Sequence, residues 1–228
     1  HGTLWFSSVG VFSLNGDKLV RYQSRMFNIG MVWALEFDSK DNLWIGSDIG
    51  LLKYKNGAFT AVELTETSLP LSIRSLLVDR TGSLWVGTDG KGLFRLNNNR
   101  ISSYGLSEGL SNNSVYALFQ GREGGLWVGT NGGGLNQLSD GKFTSYTTLE
   151  GLSHDFVWSI CEDRKGNVWV GTYDGLTRFS DGAVRTYSAA DGLRNTFIWA
   201  LHEDRLGRMW LGTSAGLVLF DGLTFKTY

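Results

Sequence analysis

Proline and cysteine are almost missing from this chain: Pro70 and Cys161 are the only examples in 228 residues. A single cysteine excludes an internal disulfide, which suits a cytosolic protein and equally a bacterial periplasmic one that does not rely on crosslinks. No charge of one sign prevails, since 21 lysines and arginines face 22 aspartates and glutamates for a net charge of −1. Without a basic stripe, nucleic acid is not expected as a partner. No apolar stretch approaches the roughly eighteen residues of a membrane span, so no direct membrane contact is expected of this segment. A signal peptide is also missing, and the opening His1-Gly2-Thr3 falls inside a repeat, as in an excised piece of a longer protein. Amphipathic stretches of 3.6-residue period long enough for a helix are lacking as well.

Glycine and aromatic residues are abundant instead. Thirty-one glycines with one proline point to many tight hairpins and few rigid linkers. Nine tryptophans, eight tyrosines and thirteen phenylalanines suit sheets buried on both faces. Six of the tryptophans mark a repeat. Short apolar segments surround Trp5, Trp44, Trp85, Trp127, Trp169 and Trp210, separated by 39, 41, 42, 42 and 41 residues. A constant period in the low forties means one supersecondary unit built repeatedly.

The copy around Trp169 shows the plan. Phe156-Val157-Trp158-Ser159-Ile160-Cys161 is a run of strand formers, Asp163-Arg164-Lys165-Gly166 a turn, and Val168-Trp169-Val170-Gly171-Thr172 a second strand. Tyr173-Asp174-Gly175 turns into Leu176-Thr177-Arg178-Phe179, and Asp181-Gly182 leads to Val184-Arg185-Thr186-Tyr187. Each unit is thus a four-stranded antiparallel meander, the pattern of a β-propeller blade. Aligned on the tryptophan, a glycine recurs two residues later (Gly46, Gly87, Gly129, Gly171, Gly212), followed by Ser47, Thr88, Thr130, Thr172 and Thr213. Glycine within a strand signals a bulge or a close approach by a neighbour. Six residues before it stand Asp38, Asp79, Asp163 and Asp204, with Gly121 the exception. These columns read as hairpin requirements.

The expectation is an all-β propeller of five complete blades plus a three-stranded first blade, in a single propeller domain or fragment spanning 1–228. Its repeats lie near 1–27, 28–68, 69–110, 111–152, 153–193 and 194–228. The first copy starts at its second strand and the last offers no spare innermost strand, so further blades, or a second copy of the chain, are expected to cover the edges.

The phrase Asp-Arg-x-Gly-x-(Leu/Val)-Trp-(Val/Ile)-Gly-Thr, followed by Gly-Leu, stands at Asp79–Thr88 with Gly92-Leu93 and at Asp163–Thr172 with Gly175-Leu176. Asp204–Thr213 follows it more loosely, and Phe143-Thr144-Ser145-Tyr146 with Gly151-Leu152 supplies a closing segment. The pattern resembles the two-component regulator propeller repeat over essentially the whole chain, departing at Ser7 and Gly121. The resemblance implies a periplasmic sensor portion of a bacterial hybrid histidine kinase or diguanylate cyclase, one that senses an extracellular ligand, often a glycan fragment. This segment carries no kinase, cyclase or receiver sequence.

Propeller ligands usually sit over the axis, against loops entering the innermost strands. Those loops contain Asn112-Asn113, His154-Asp155 and Arg194-Asn195, and eleven residues before the central tryptophan a further column reads Trp33, Arg74, Tyr116, Trp158 and Trp199. Rings beside amide, carboxylate and guanidinium groups suit a small polar ring or an oligosaccharide. The candidate ligand-binding residues are therefore Trp33, Arg74, Tyr116, Trp158, Trp199, Asn113, His154, Asp155, Arg194 and Asn195. The competing reading packs Trp33, Trp158 and Trp199 between blades and makes Asn113, Asp155 and Asn195 turn formers. Arg74 in an aromatic column needs a partner or water. No catalytic residue, metal site or cofactor is expected: the histidines are only His1, His154 and His202, and no zinc, calcium or phosphate-loop motif is present. A structural or protein-interaction propeller mediating receptor dimerisation is the alternative, and an enzyme resembling streptogramin lyase the third reading.

Overall fold

The computed structural model describes residues 3–8, 10–22, 30–65, 70–98, 100–180 and 182–228. Among them the regular structure is nearly all strand, arranged as six antiparallel sheets in chain order. Blade 1 has three strands, Leu4–Ser8, Gly10–Asn15 and Lys18–Tyr22. The other five are four-stranded meanders whose first strands are Val32–Phe37, Ile73–Val78, Val115–Gln120, Val157–Glu162 and Ile198–Glu203. These six sheets, the first three-stranded and the rest four-stranded antiparallel meanders, are the blades expected from the repeat. Among the described residues the helical pieces are three single 3-10 turns, Leu106–Glu108, Thr148–Glu150 and Ala189–Asp191, each closed by a capping box.

The chain forms two compact units, His1–Ser103 and Tyr104–Tyr228. The first holds blades 1 to 3, the last strand of blade 3 running on to Tyr104, and the second holds blades 4 to 6. Within each unit the first strands of successive blades lie side by side.

Each sequence column has a physical cause. The aspartate six residues before the tryptophan folds its carboxylate into the turn between the first two strands. Asp163 accepts the backbone N–H groups of Lys165 and Asn167 (both 2.9 Å), and its second oxygen takes the Trp169 indole N–H at 2.8 Å. Asp38, Asp79 and Asp204 do the same for Trp44, Trp85 and Trp210. Gly166, in the left-handed region at φ +85°, completes the turn. The threonine after the glycine column donates its hydroxyl to a carbonyl three or four residues on, as Thr172 does to Gly175 and Thr130 to Gly134.

The tryptophan ring builds the core between blades. Trp169 stacks on Tyr187 of its own fourth strand (5.9 Å) and meets Phe220 of the next blade edge-on (5.8 Å). Trp127 likewise meets Tyr146 of its own blade at 5.9 Å and Phe179 of the next, stacked at 6.4 Å, in blades 4 and 5. In the first unit Trp5 is stacked on Tyr22 of its own blade at 4.7 Å and meets Tyr54 of the next at 6.3 Å. Such rings bury large apolar areas with added edge-to-face attraction, so one residue type at one position stitches neighbouring blades together.

Candidate functional site

A register shift occurs at the same place in all five complete blades. Between first and second strands the pairing skips one residue: Val32 pairs with Ser47 but Ala34 with Gly46, and likewise around Arg74, Tyr116, Trp158 and Trp199. The skipped residues are therefore Trp33, Arg74, Tyr116, Trp158 and Trp199, the whole column selected from the sequence. A bulge leaves one residue outside the ladder and re-aims its side chain, which is how a propeller strand can spend a large ring away from its sheet.

In the first unit the column makes a stacked, charged pair. The Arg74 guanidinium lies 4.2 Å from the Trp33 ring centroid, and its Nη2 reaches Asp89 Oδ2 at 3.1 Å. Asp48 fixes the other side by accepting the Trp33 indole N–H at 2.7 Å and the Ser72 hydroxyl at 3.3 Å. Arg74 thus has the partner its position demands, twice over. Trp33 remains 46 % exposed, so its stacking with Arg74 of the next blade covers only part of the ring.

In the second unit the column makes an aromatic patch. Tyr116 meets Trp158 at 5.0 Å, Trp158 meets Trp199 at 5.5 Å, and Phe197 bridges them, 5.4 Å from Trp158 and stacked on Trp199 at 4.0 Å. Tyr173 joins Phe197 at 5.0 Å and His154 at 5.4 Å, with Phe156 beside both. Trp199 is 48 % exposed. The Trp158 indole N–H is shielded from water and meets no acceptor among the described residues, a donor that costs free energy until something accepts from it.

The loop candidates divide. His154 borders the patch, its Nδ1 accepting the Phe156 N–H at 3.0 Å. Asn195 accepts from the Ser214 hydroxyl at 3.1 Å. Asp155 is spent on architecture: its carboxylate accepts the Thr148 N–H, and its carbonyl accepts the N–H groups of Gly132 and Gly134 in the preceding blade. Asn113 turns toward Gly105, beside the 3-10 turn of its own connection. Arg194 is exposed, with no partner among the described residues.

Sequence reasoning passed over Phe156, Phe197 and Tyr173. The first two lie two residues before Trp158 and Trp199. Tyr173 belongs to a column four residues after the central tryptophan, with Asp48, Asp89, Asn131 and Ser214. That column braces the bulge residues in several blades: Asp48 holds Trp33, Asp89 holds Arg74, and the Asn131 amide donates to the Tyr116 hydroxyl at 3.3 Å.

The family described as "two component regulator propeller" matches residues 68–90, 109–132, 151–174 and 192–215. Each matched segment holds one bulge residue, its central tryptophan and the bracing position that follows. Those four segments are similar to the two-component regulator propeller repeat. The chain as a whole is similar to the extracellular domain of BT3049 from B. thetaiotaomicron, described as a hybrid two component system, at 27 % identity and a TM-score of 0.88. That match covers all of this chain and 32 % of the other, so the repeats span about a third of that domain. The extracellular domain of BT4673 from the same organism matches at 21 % identity and a TM-score of 0.64, covering 99 % of this chain and 40 % of that one. Virginiamycin B lyase from Staphylococcus aureus matches at 14 % identity and a TM-score of 0.78, covering 100 % and 80 %, a likeness of fold alone. No curated protein matches the chain.

Proposed function

We propose that these repeats form a non-catalytic, ligand-sensing part of a bacterial signalling receptor, exposed on the periplasmic side of the membrane, and that the bulge column contacts a small molecule or an oligosaccharide. The family match and the likeness to extracellular domains of two-component systems support the receptor setting. The observation that carries the binding site is the bulge itself, which in every complete blade lifts a ring or a guanidinium out of the ladder. Sugar rings present C–H faces that stack on indole and phenol, while hydroxyls take hydrogen bonds from polar rims such as His154 and Asn195. The unaccepted Trp158 N–H supports the same reading, since a ligand hydroxyl or carbonyl would satisfy it.

The lyase reading has less behind it. His154 Nδ1 already accepts a backbone N–H, and His202 belongs to the part of its strand that pairs with Trp210, near the opposite end from the bulge.

Isothermal calorimetry against a panel of glycan fragments and metabolites tests the proposal. Saturable binding should appear for at least one class, be lost in Trp158→Ala, and survive in a variant of an exposed residue far from the patch such as Leu223→Ser. Binding indifferent to Trp158→Ala, or a panel with no binder alongside self-association of the chain, would instead favour the protein-interaction reading.

A further inference from the structure

The exception in the aspartate column has a consequence for recognition. The turn Gly121–Trp127 has the same backbone as its four counterparts. Gly121 N–H donates to the Gly125 carbonyl at 2.9 Å and Gly124 N–H to the Gly121 carbonyl at 2.9 Å, where the Asp163 turn has 2.9 and 3.0 Å for the equivalent bonds. In those four turns three donors converge on one carboxylate: the N–H groups two and four residues on, and the indole N–H six residues on. Here the equivalent donors are Glu123 N–H, Gly125 N–H and Trp127 Nε1–H. A Cβ placed on Gly121 would lie 3.3 Å from Trp127 Nε1, so the indole is aimed as in the other blades. None of the three donors has an acceptor among the described residues.

The opening is wider than one carboxylate. The residue four after the aspartate elsewhere is Asn42, Ser83, Asn167 or Arg208, and here it is Gly125. The Gln137 amide nitrogen, 3.3 Å from where a Gly125 Cβ would stand, adds a fourth donor. Beyond it lies a cleft of about 610 Å³ within the second unit, walled by Tyr146 and Phe179 and edged by Arg164 and Lys165. The corresponding cleft of the first unit, of about 500 Å³, has Asp38 in place at its turn.

We propose that the Gly121–Trp127 turn is a binding site for the carboxylate of a ligand, which takes the donors that an internal aspartate takes in the other blades. Hydrogen bonds to an ionised acceptor are roughly twice as strong as neutral ones, and neutral acceptors such as water gain less from three convergent donors. Glu162 also lines this cleft, but its charge is held by the Arg122 N–H at 2.8 Å and the Arg122 guanidinium at 3.6 Å. The next blade shows that this neighbour is compatible with a bound carboxylate: Glu203 accepts the Arg164 N–H at 3.0 Å in the same way, beside Asp163 in its filled turn.

The test is a titration with acetate at constant ionic strength, chloride making up the balance. The readout is the indole N–H resonance of Trp127, assigned by its loss in Trp127→Phe. Saturable movement of that single indole resonance is expected, together with acetate-dependent thermal stabilisation. Gly121→Asp supplies the carboxylate internally and should abolish both responses; if that variant fails to fold, Gln137→Leu removes a donor and should weaken acetate binding by about tenfold. Glucuronate and N-acetylglycine, titrated in parallel, distinguish an acidic sugar from a peptide terminus as the source of the carboxylate. An indole resonance that acetate leaves in place, or that moves equally in wild type and Gly121→Asp, would overturn the proposal.

Discussion

At Gly46 and Gly171 the side chain is dispensed with because the following blade needs the room. A methyl group on Gly46 would stand 2.6 Å from Ile73 Cγ2, and one on Gly171 would strike Ser159 Oγ of its own blade and stand 2.7 Å from Ile198 Cγ2 of the next. At Gly129 it would strike Val157. In all three cases the crowding from the next blade comes from the β-branched residue just before a bulge, fully buried and held in a strand that cannot retreat. Gly212 differs, for its nearest neighbour would be Ala200 Cβ at 3.4 Å, ordinary van der Waals contact. Gly46→Ala, whose methyl would meet Ile73 of the next blade first, should therefore cost about 1–3 kcal/mol by overpacking, while Gly212→Ala stays within about 0.5 kcal/mol of wild type. Urea midpoints of the two variants check this, and equal losses would mean that the glycine serves its own strand and not the blade beside it.

At the scale of the element, the turn between first and second strands is a small closed circuit. Removing the carboxylate in Asp163→Ala leaves two turn N–H groups, the Asn167 amide and the Trp169 indole without their acceptor, in a place where Asp163 itself is buried. An expected loss of about 2–4 kcal/mol follows from orphaned buried donors, and the Trp169 emission should shift as its indole loses the bond. This circuit was half legible in the sequence. The constant offsets of aspartate, glycine and tryptophan identify the turn, but that the aspartate reaches the tryptophan depends on the hairpin bringing residues six apart face to face. The bulge was less legible still. A skipped residue alters no letter of the alternating pattern, so Trp33, Arg74, Tyr116, Trp158 and Trp199 stand out only by alignment of the copies. Phe156 and Phe197 could have been found, since strand residues two apart share a face. Tyr173 could not, because it stands in a turn, which has no alternating face to mark a ring, where the other copies carry Asp48, Asp89 and Asn131. Among the polar loop residues, Asp155 has a role its letter could not reveal: its carboxylate and carbonyl satisfy backbone donors that an entering loop would otherwise leave open.

Over the whole molecule the repeated circuit sets a response to acid. Burial pushes the carboxyls of Asp38, Asp79, Asp163 and Asp204 upward, but the hydrogen bonds each accepts outweigh it and hold all four below the ordinary aspartate value. Two lie in the first unit and two in the second. An aspartate in the unfolded chain titrates near about 3.9, so between that value and the lower folded one the unfolded state binds protons that the folded state refuses. The stability these groups contribute is complete above the unfolded value and drains away as pH falls through the folded one. Glu36 works the other way, because burial raises its carboxyl more than the Val78 N–H lowers it, and acid relieves that strain. Glu108, Glu150 and Asp221 are also held low by hydrogen bonds in their own turns, so one raised carboxyl stands against seven lowered, and the four aspartate circuits lead the balance. The melting temperature should be flat from about pH 8 to 6 and fall below about pH 5, with both units affected. Because the lowering comes from short hydrogen bonds and not from distant charges, 0.5 M sodium chloride should leave the acid limb where it is. Thermal melts across that range, with and without salt, decide the matter: a limb that moves by a full pH unit on adding salt would assign the acid sensitivity to general charge and not to the aspartate turns.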